Sequence, residues 1–420
     1  MSGNEKRSPV PRLRFPEFRE AGEWKPCEIG PFLEEYSARV PASTDLPIYS
    51  STRTGLKLQK DYYDNRELAN EGEYGVVPEG YFVYRHMSDD GTFKFNINNS
   101  GERIAVSKEY PVFSVVEMHP DFLLYLLNEG DEFKKFAQAQ KNGGTRTRLY
   151  LSVLRACPVL LPSDREQQKI ADCLTSLDDR IAAEATKLDT LKAHKKGLMQ
   201  QLFPAEGETV PRLRFGEFRE GGEWERDELS SCLEKVIDYR GKAPPKSESG
   251  VPLITARNVR FGWLDMSSDE YIEVDEYDDW MSKGIPKAGD ILFTTEAPLG
   301  NVAFFPSIGK FALGQRIITL RTKPNKCFSA FLYQSLLSPR MQKEIDFCST
   351  GSTAKGIKSA VFVNVSFCYP GIEEQQKIAD CLSFLDNLIT AHAQKIELLK
   401  RHKKGLMQQL FPSTEGEIQV

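Results

Sequence analysis

The sequence holds little from which a reactive centre could be built. Its 420 residues include five histidines and eight cysteines, and no two cysteines stand in CxxC spacing. Cys27, Cys157, Cys173, Cys232, Cys327, Cys348, Cys368 and Cys381, with few histidines near them, do not make a zinc site; buried thiols are the expected state and no metal is expected in the chain. No apolar run approaches the length of a membrane span, and the opening MSGNEKRSPVPRLRF lacks the apolar core of a secretion leader, which makes the cytoplasm the expected compartment. A surplus of positive charge is also missing. The net charge of −5 argues against a protein coated in phosphate contacts, while leaving room for local basic patches on an acidic body.

Catalytic patterns fail one by one. GSTAKGIKS, from Gly351 to Ser359, is one residue too long for a phosphate-binding loop and carries Ile357 where the lysine belongs. Pro120-Asp121 followed by Glu132-Phe133-Lys134 imitates the spacing of a metal-dependent nuclease, but FLLYLLNEGDEFKKF reads as a helix with a break at Gly130, which would keep those carboxylates apart. Pro244-Pro245 lies between Ala243 and Lys246, so there is no Asn-Pro-Pro-aromatic motif for base methylation, and no Ser/His/Asp arrangement suggests itself. No catalytic residue is assigned. An apolar share of 40% with 27% charged residues is an ordinary globular composition, and the length allows two or three domains.

What the chain does have is repetition. Glu166 to Leu174, EQQKIADCL, and His194 to Pro204, HKKGLMQQLFP, return at Glu374 to Leu382 and His402 to Pro412, both displaced by 208 residues. A second pair of words opens each half: VPRLRF at Val10 to Phe15 and Val210 to Phe215, followed by PEFREAGEW and GEFREGGEW. A period near two hundred residues is too long for a solenoid and suits two related domains in tandem. The chain divides into a globular region at 1–162, a long helix at 163–205, a second globular region at 206–370, a second long helix at 371–413 and a tail at 414–420.

Within the shared segment Ile170, Leu174, Leu177, Ile181, Leu188, Leu191 and Leu198 alternate steps of four and three, interrupted at Glu184 and Lys195. The second copy gives Ile378, Leu382, Leu385, Ile389, Ile396, Leu399 and Leu406, with His392 and Lys403 in the gaps. This is a coiled-coil seam. Ser163 and Glu166 form a capping box, with Gly371 and Glu374 in the equivalent places, and Pro204 and Pro412 end the helices. Some forty residues make a rod of roughly 60 Å. Two separate dimerisation helices are one reading. The favoured one pairs the helices antiparallel within the chain, related by a pseudo-twofold axis, with Glu184 and His392 near the middle as a polar register-setter.

The globular regions read as mixed α/β. The first has β-rich runs at Tyr74 to Tyr84 and Arg103 to Val116, then a helix-like stretch from Asp121 to Ala139. The second has strand candidates at Val251 to Thr255, Asp290 to Thr295, Asn301 to Phe305 and Phe311 to Arg321, then a helical run from Ser329 to Phe347. After each helix comes a loop of glycine, hydroxyl and basic residues: KNGGTRTR, with Lys141, Gly144, Thr145, Arg146 and Arg148, and STGSTAKGIK, with Ser352, Thr353, Lys355 and Lys358. Glycine lets a backbone approach phosphate, hydroxyls donate to phosphate oxygens, and arginine reads guanine with two parallel hydrogen bonds. A solvated surface loop fits the same composition. Further DNA-contact candidates are Lys57 in the polar stretch with Tyr49, Ser50 and Thr52, Arg85 beside His86, the trio Arg257, Asn258 and Arg260, and Gln315 with Arg316. For each of these a plain surface role fits as well.

The VPRLRF…EF…W openings, VPLITARNV, GDILFTTEAPLGNVAFF, QRIITLRT, FLYQSLLS, the STGST loop and EQQKIADCLSFLD together resemble the specificity subunits of type I restriction-modification systems. The resemblance implies an α+β fold of two target-recognition domains separated by two long helices that form an antiparallel coiled coil. Each domain would read one half of an asymmetric bipartite site in double-stranded DNA. The helices would act as spacer and as docking surface for two methylation subunits carrying S-adenosylmethionine, and these would recruit motor-nuclease subunits that use ATP and Mg; this chain would hold no cofactor, and the host would be a bacterium or archaeon. The first domain lacks a clear counterpart of QRIITLRT. A non-catalytic cytoplasmic scaffold, presenting two protein-binding domains on a coiled coil, is the competing reading.

Overall fold

The structure, a computed structural model, describes residues 10–62, 72–141, 146–239, 243–267, 270–351 and 355–412. The chain forms two compact units, Met1–Glu184 with Lys395–Val420, and Ala185–Gln394, so each unit owns part of both long helices.

In the first unit, short β-branched and aromatic runs build a four-stranded antiparallel sheet in the order Leu33–Glu35, Val112–Val115, Phe82–Tyr84, Phe95–Ile97. A three-stranded sheet of Ile104–Ser107, Glu73–Val77 and Arg39–Pro41 lies in the same unit. The second unit repeats the larger sheet as Leu233–Asp238, Ile317–Thr322, Ile291–Thr294, Val302–Phe304. Val112–Val115 is therefore the counterpart of the strand in QRIITLRT that the sequence alone did not single out.

Helices follow each sheet. The expected break at Gly130 is present: one helix runs Pro120–Glu129 and the next Asp131–Ala139. A Cβ at Gly130 would fall 2.4 Å from the Leu126 carbonyl oxygen, so only glycine fits there. The run Ser329 to Phe347, expected as one helix, is two, Ser329–Leu337 and Pro339–Phe347. Ser338 ends the first and caps the second, its hydroxyl accepting from the Met341 amide, and Pro339 opens the second where its missing N–H costs nothing.

The long helices span Asp164–Leu202 and Ile372–Leu410. Every seam residue expected from the heptads is buried or half-buried. Met199 and Met407, which the periodicity passed over, are buried as well. In the first unit Asp178 meets Lys403 and Glu184 meets Lys395, so the helices run antiparallel there. In the second, Lys195 meets Asp386 at 2.6 Å, while Met199 and Leu202 share a core with Ile378 and Leu382. The lysines that interrupt the heptads thus carry ion pairs, their alkyl stems lying along the apolar seam. Because Asp386 is about a third exposed, the Lys195 pair is screened. A double-mutant cycle of Lys195→Ala and Asp386→Ala is expected to give a coupling energy of about 0.5–1 kcal/mol in chemical denaturation; a coupling of zero would remove it as a register contact.

The repeated words explain how each globular part is fastened to its helix. Arg14 donates in a fork to Glu166, Nε to Oε1 at 2.8 Å and Nη2 to Oε2 at 2.7 Å, and Arg214 does the same to Glu374 at 2.7 and 2.6 Å. Glu17 pairs with Lys169 and Glu217 with Lys377, both at 3.2 Å. The next residue of EQQK, Gln167, accepts from the His119 amide at the head of the Pro120–Glu129 helix and donates to the Pro162 carbonyl. Gln375 accepts from Phe328 and donates to Pro370 in the same way. Beside these clasps, Trp24 packs on Phe122 and Phe411, and Trp224 on Phe331 and Phe203. VPRLRF and EQQK are two sides of one contact.

Candidate nucleic-acid interface

Each unit brings a basic loop against the turn that leaves a central strand. In the first unit, Thr147–Arg148 pairs with Met87–Ser88, and the Leu149 amide donates to the His86 carbonyl at 2.8 Å. In the second, the Ile357 amide donates to the Thr295 carbonyl at 2.9 Å, and Glu296 bridges Gly356. Leu149 and Ile357 are 208 residues apart, so the same main-chain contact recurs at the same place in the repeat.

In the first unit the loop gathers neighbours. The Tyr49–Thr52 and Gly55–Leu58 hairpin, which carries Lys57, is tied in by Asn96, whose amide donates to Ser51 Oγ at 2.8 Å and to the Thr52 carbonyl. Arg146 pairs with Asp89 at 2.9 Å, and Arg53 with Asp90 at 2.7 Å. Asp90 is held below the usual carboxylate range, first by the Thr92 hydroxyl and backbone amide, then by Ser88 and Arg53. Lys57, Arg85, Lys141, Arg146 and Arg148 are all exposed. Gly144 and Thr145 lie outside the described residues. Tyr150, half exposed, stacks on His86 with ring centroids 5.3 Å apart. Arg53 and Tyr150 were not singled out from the sequence; the turn-like TRTG around Arg53 was the available signal.

In the second unit four segments converge. The Thr295 amide donates to the Arg316 carbonyl at 2.9 Å, and the Gly314 amide to the Ile254 carbonyl at 2.7 Å. A side chain at 314 would strike Thr255, 2.8 Å from its Cγ2, so the close approach of these segments requires glycine. Asn301 donates to the Val259 carbonyl at 2.9 Å, joining the hairpin of Val259–Arg260 and Trp263–Leu264. Arg316 pairs with Glu296, Arg260 with Asp265 and Lys355 with Asp346. Asp265 is held low, first by the Ser267 hydroxyl and amide and then by Arg260. Arg257 is exposed, Gln315 half-buried beside Arg316, and Lys358 exposed. Ser352 and Thr353 lie outside the described residues.

One candidate changes role. Asn258 is buried, its oxygen accepting from the Thr255 amide and hydroxyl and its nitrogen donating to the Asp265 carbonyl. An amide consumed inside its own loop shapes that loop and leaves the neighbouring Arg257 and Arg260 to face outward. The hairpin also exposes Phe261 and Trp263, which sequence reasoning missed.

The chain matches the model of the type I restriction modification DNA specificity domain twice, over residues 45–193 and 232–401. The chain belongs to this family. It is therefore a specificity subunit, whose role is recognition of a DNA target and is not itself catalytic. Curated family members from Methanocaldococcus jannaschii include the specificity subunits assigned to the MjaX and MjaVIII type I restriction enzymes. The first is 27% identical over 96% of this chain and 98% of its own length, the second 24% over 97% and 95%. Among solved structures, the S subunit of a type I restriction-modification system from M. genitalium shares the fold, with a TM-score of 0.60 and 15% identity over 96% of this chain and 99% of that one. Among the described residues, none of this family member's helices is long and apolar enough to cross a membrane, and no cluster of metal-ligating side chains occurs.

Proposed function

We propose that each globular region reads one half of an asymmetric bipartite DNA site, with the paired helices as the spacer. The observation that carries this is the shared placement of a basic loop, Leu149 on His86 and Ile357 on Thr295, with unlike side chains around it. One scaffold with two different surfaces suits two different half-sites. The exposed cations are the proposed contacts: Lys57, Arg85, Lys141, Arg146 and Arg148 in the first region, and Arg257, Arg260, Arg316, Lys355 and Lys358 in the second, with Gln315 beside them. The partners are two methylation subunits, which bring S-adenosylmethionine, and motor-nuclease subunits with ATP and Mg, in the cytoplasm of a bacterium or archaeon. A chain of net charge −5 can recognise DNA specifically if those partners supply much of the phosphate binding.

Mapping methylated adenines in an active host with and without this gene tests the proposal. A bipartite motif that disappears with the gene is expected, and its persistence would defeat the reading. Arg146→Ala is expected to cost about 1–3 kcal/mol of binding and to relax one half-site only. Undiminished preference at both half-sites would remove Arg146 from the interface.

A further inference from the structure

We propose that Glu296 and Arg316 act together as the reader of a single G·C base pair, an inference that rests on the second globular region being a DNA-recognition domain and adds a carboxylate to its reading surface. The two side chains meet at 3.1 Å from Arg316 Nε to Glu296 Oε1, and both are about half exposed. They come from different segments, and both segments are fixed by the main chain. The Thr295 amide is bonded to the Arg316 carbonyl, Glu296 bridges Gly356, and the Ile357 amide is bonded to the Thr295 carbonyl.

The backbone on both sides is unusual. Among the described residues only three other than glycine have a left-handed φ, and two are Arg316 at 66° and Ala297, next to Glu296, at 46°. Left-handed backbone in side-chain-bearing residues is costly and gathers where function demands a particular presentation. An ordinary surface ion pair needs neither the strained backbone nor the three-way convergence of segments.

The chemistry of the pair selects its target. A carboxylate on a face that meets DNA is repelled by every phosphate and can only accept hydrogen bonds, so its favourable partners in the major groove are the amino groups of cytosine and adenine. Arginine offers a fork of donors that matches guanine O6 and N7. In a G·C pair the guanine O6 and cytosine N4 lie side by side, so an acceptor and a donor fork held within hydrogen-bond distance of each other present the complementary pattern. An A·T pair has the same two acceptors and one donor in another order, with adenine N7 and thymine O4 on either side of the N6 amino group, so beside the donor the fork meets one acceptor and then, on the thymine side, the methyl group.

The test uses the full chain in complex with its methylation subunits and a library of randomised DNA duplexes, comparing wild type with Glu296→Gln and Arg316→Lys. Arg316→Lys keeps the charge but loses the fork, and Glu296→Gln keeps the shape but loses the charge. Both are expected to relax the same one G·C position of one half-site by about tenfold, with the other half-site and the melting temperature unchanged. The intact half-site reports that the variant chain is folded and assembled. Relaxation at two different positions, relaxation at an A·T position, an even loss across the motif, or an unchanged motif would each overturn the proposal. If the wild-type complex selects no bipartite motif, the broader reading of the chain falls and takes this inference with it; a wild-type motif with unaltered variants sinks the Glu296–Arg316 reader alone.

Discussion

Replacing Arg214 by alanine is expected to destabilise the second unit by about 3–5 kcal/mol, because it strands a buried carboxylate. Glu374 is 4% exposed and receives both prongs of the Arg214 fork, while the third guanidinium nitrogen serves the Gly221 and Gly222 carbonyls. Position in the first turn of the Ile372–Leu410 helix returns part of the loss, since the amide ends of a helix favour negative charge. The corresponding Arg14→Ala should cost less. In the first unit Trp24 Nε1 also donates to Glu166, at 3.3 Å, so one donor remains, whereas the indole nitrogen of Trp224 is buried with no partner among the described residues. Urea denaturation that resolves the two units checks both statements. A loss below 1 kcal/mol for Arg214→Ala, or a larger loss for Arg14→Ala, would mean the clasps do not hold the globular parts as described.

Phe331→Ala should cost a similar amount, about 3–5 kcal/mol, for a different reason. The ring is fully buried and sits among Phe203, Trp224 and Phe367 at centroid distances of 5.5, 5.8 and 6.1 Å. Its removal leaves a cavity at the junction of the globular sheet, the end of one long helix and the start of the next helical pair. Phe331→Leu, which fills most of the space, should recover the larger part of the stability. Equal losses for the alanine and leucine variants would point to edge-to-face ring contacts, not cavity volume, as the dominant contribution.

The long helices were legible because their signal is local: a three-four alternation, a capping residue and a terminating proline all lie within one segment. The clasps were not, although the words that form them were the loudest repeats in the sequence. Arg14 and Glu166 are 152 residues apart, and nothing in the local pattern joins them. Glu166, Gln167 and Lys169, with their twins, hold the chain's own globular part to its helix, which gives the identity of these words in the two copies a structural reason. The loops stood out by composition, but the acids paired with the candidate cations, Asp89 with Arg146, Glu296 with Arg316 and Asp346 with Lys355, arrive from other segments and carry no signal of their own. Asn258 shows a further limit. The same amide chemistry serves to read a base and to close a turn, and only burial tells the two apart.

The two seam ion pairs carry one more consequence. Lys195 and Asp178 lie on the first long helix, Lys403 and Asp386 on the second, and each lysine takes the aspartate of the other helix. Every helix therefore bears both the lock and the key, 17 residues apart. A gene encoding one globular region and one helix already specifies a surface complementary to its own copy. Duplicating it in tandem would yield a chain whose halves fit without any new contact having to arise, leaving later change free to act on the loops alone.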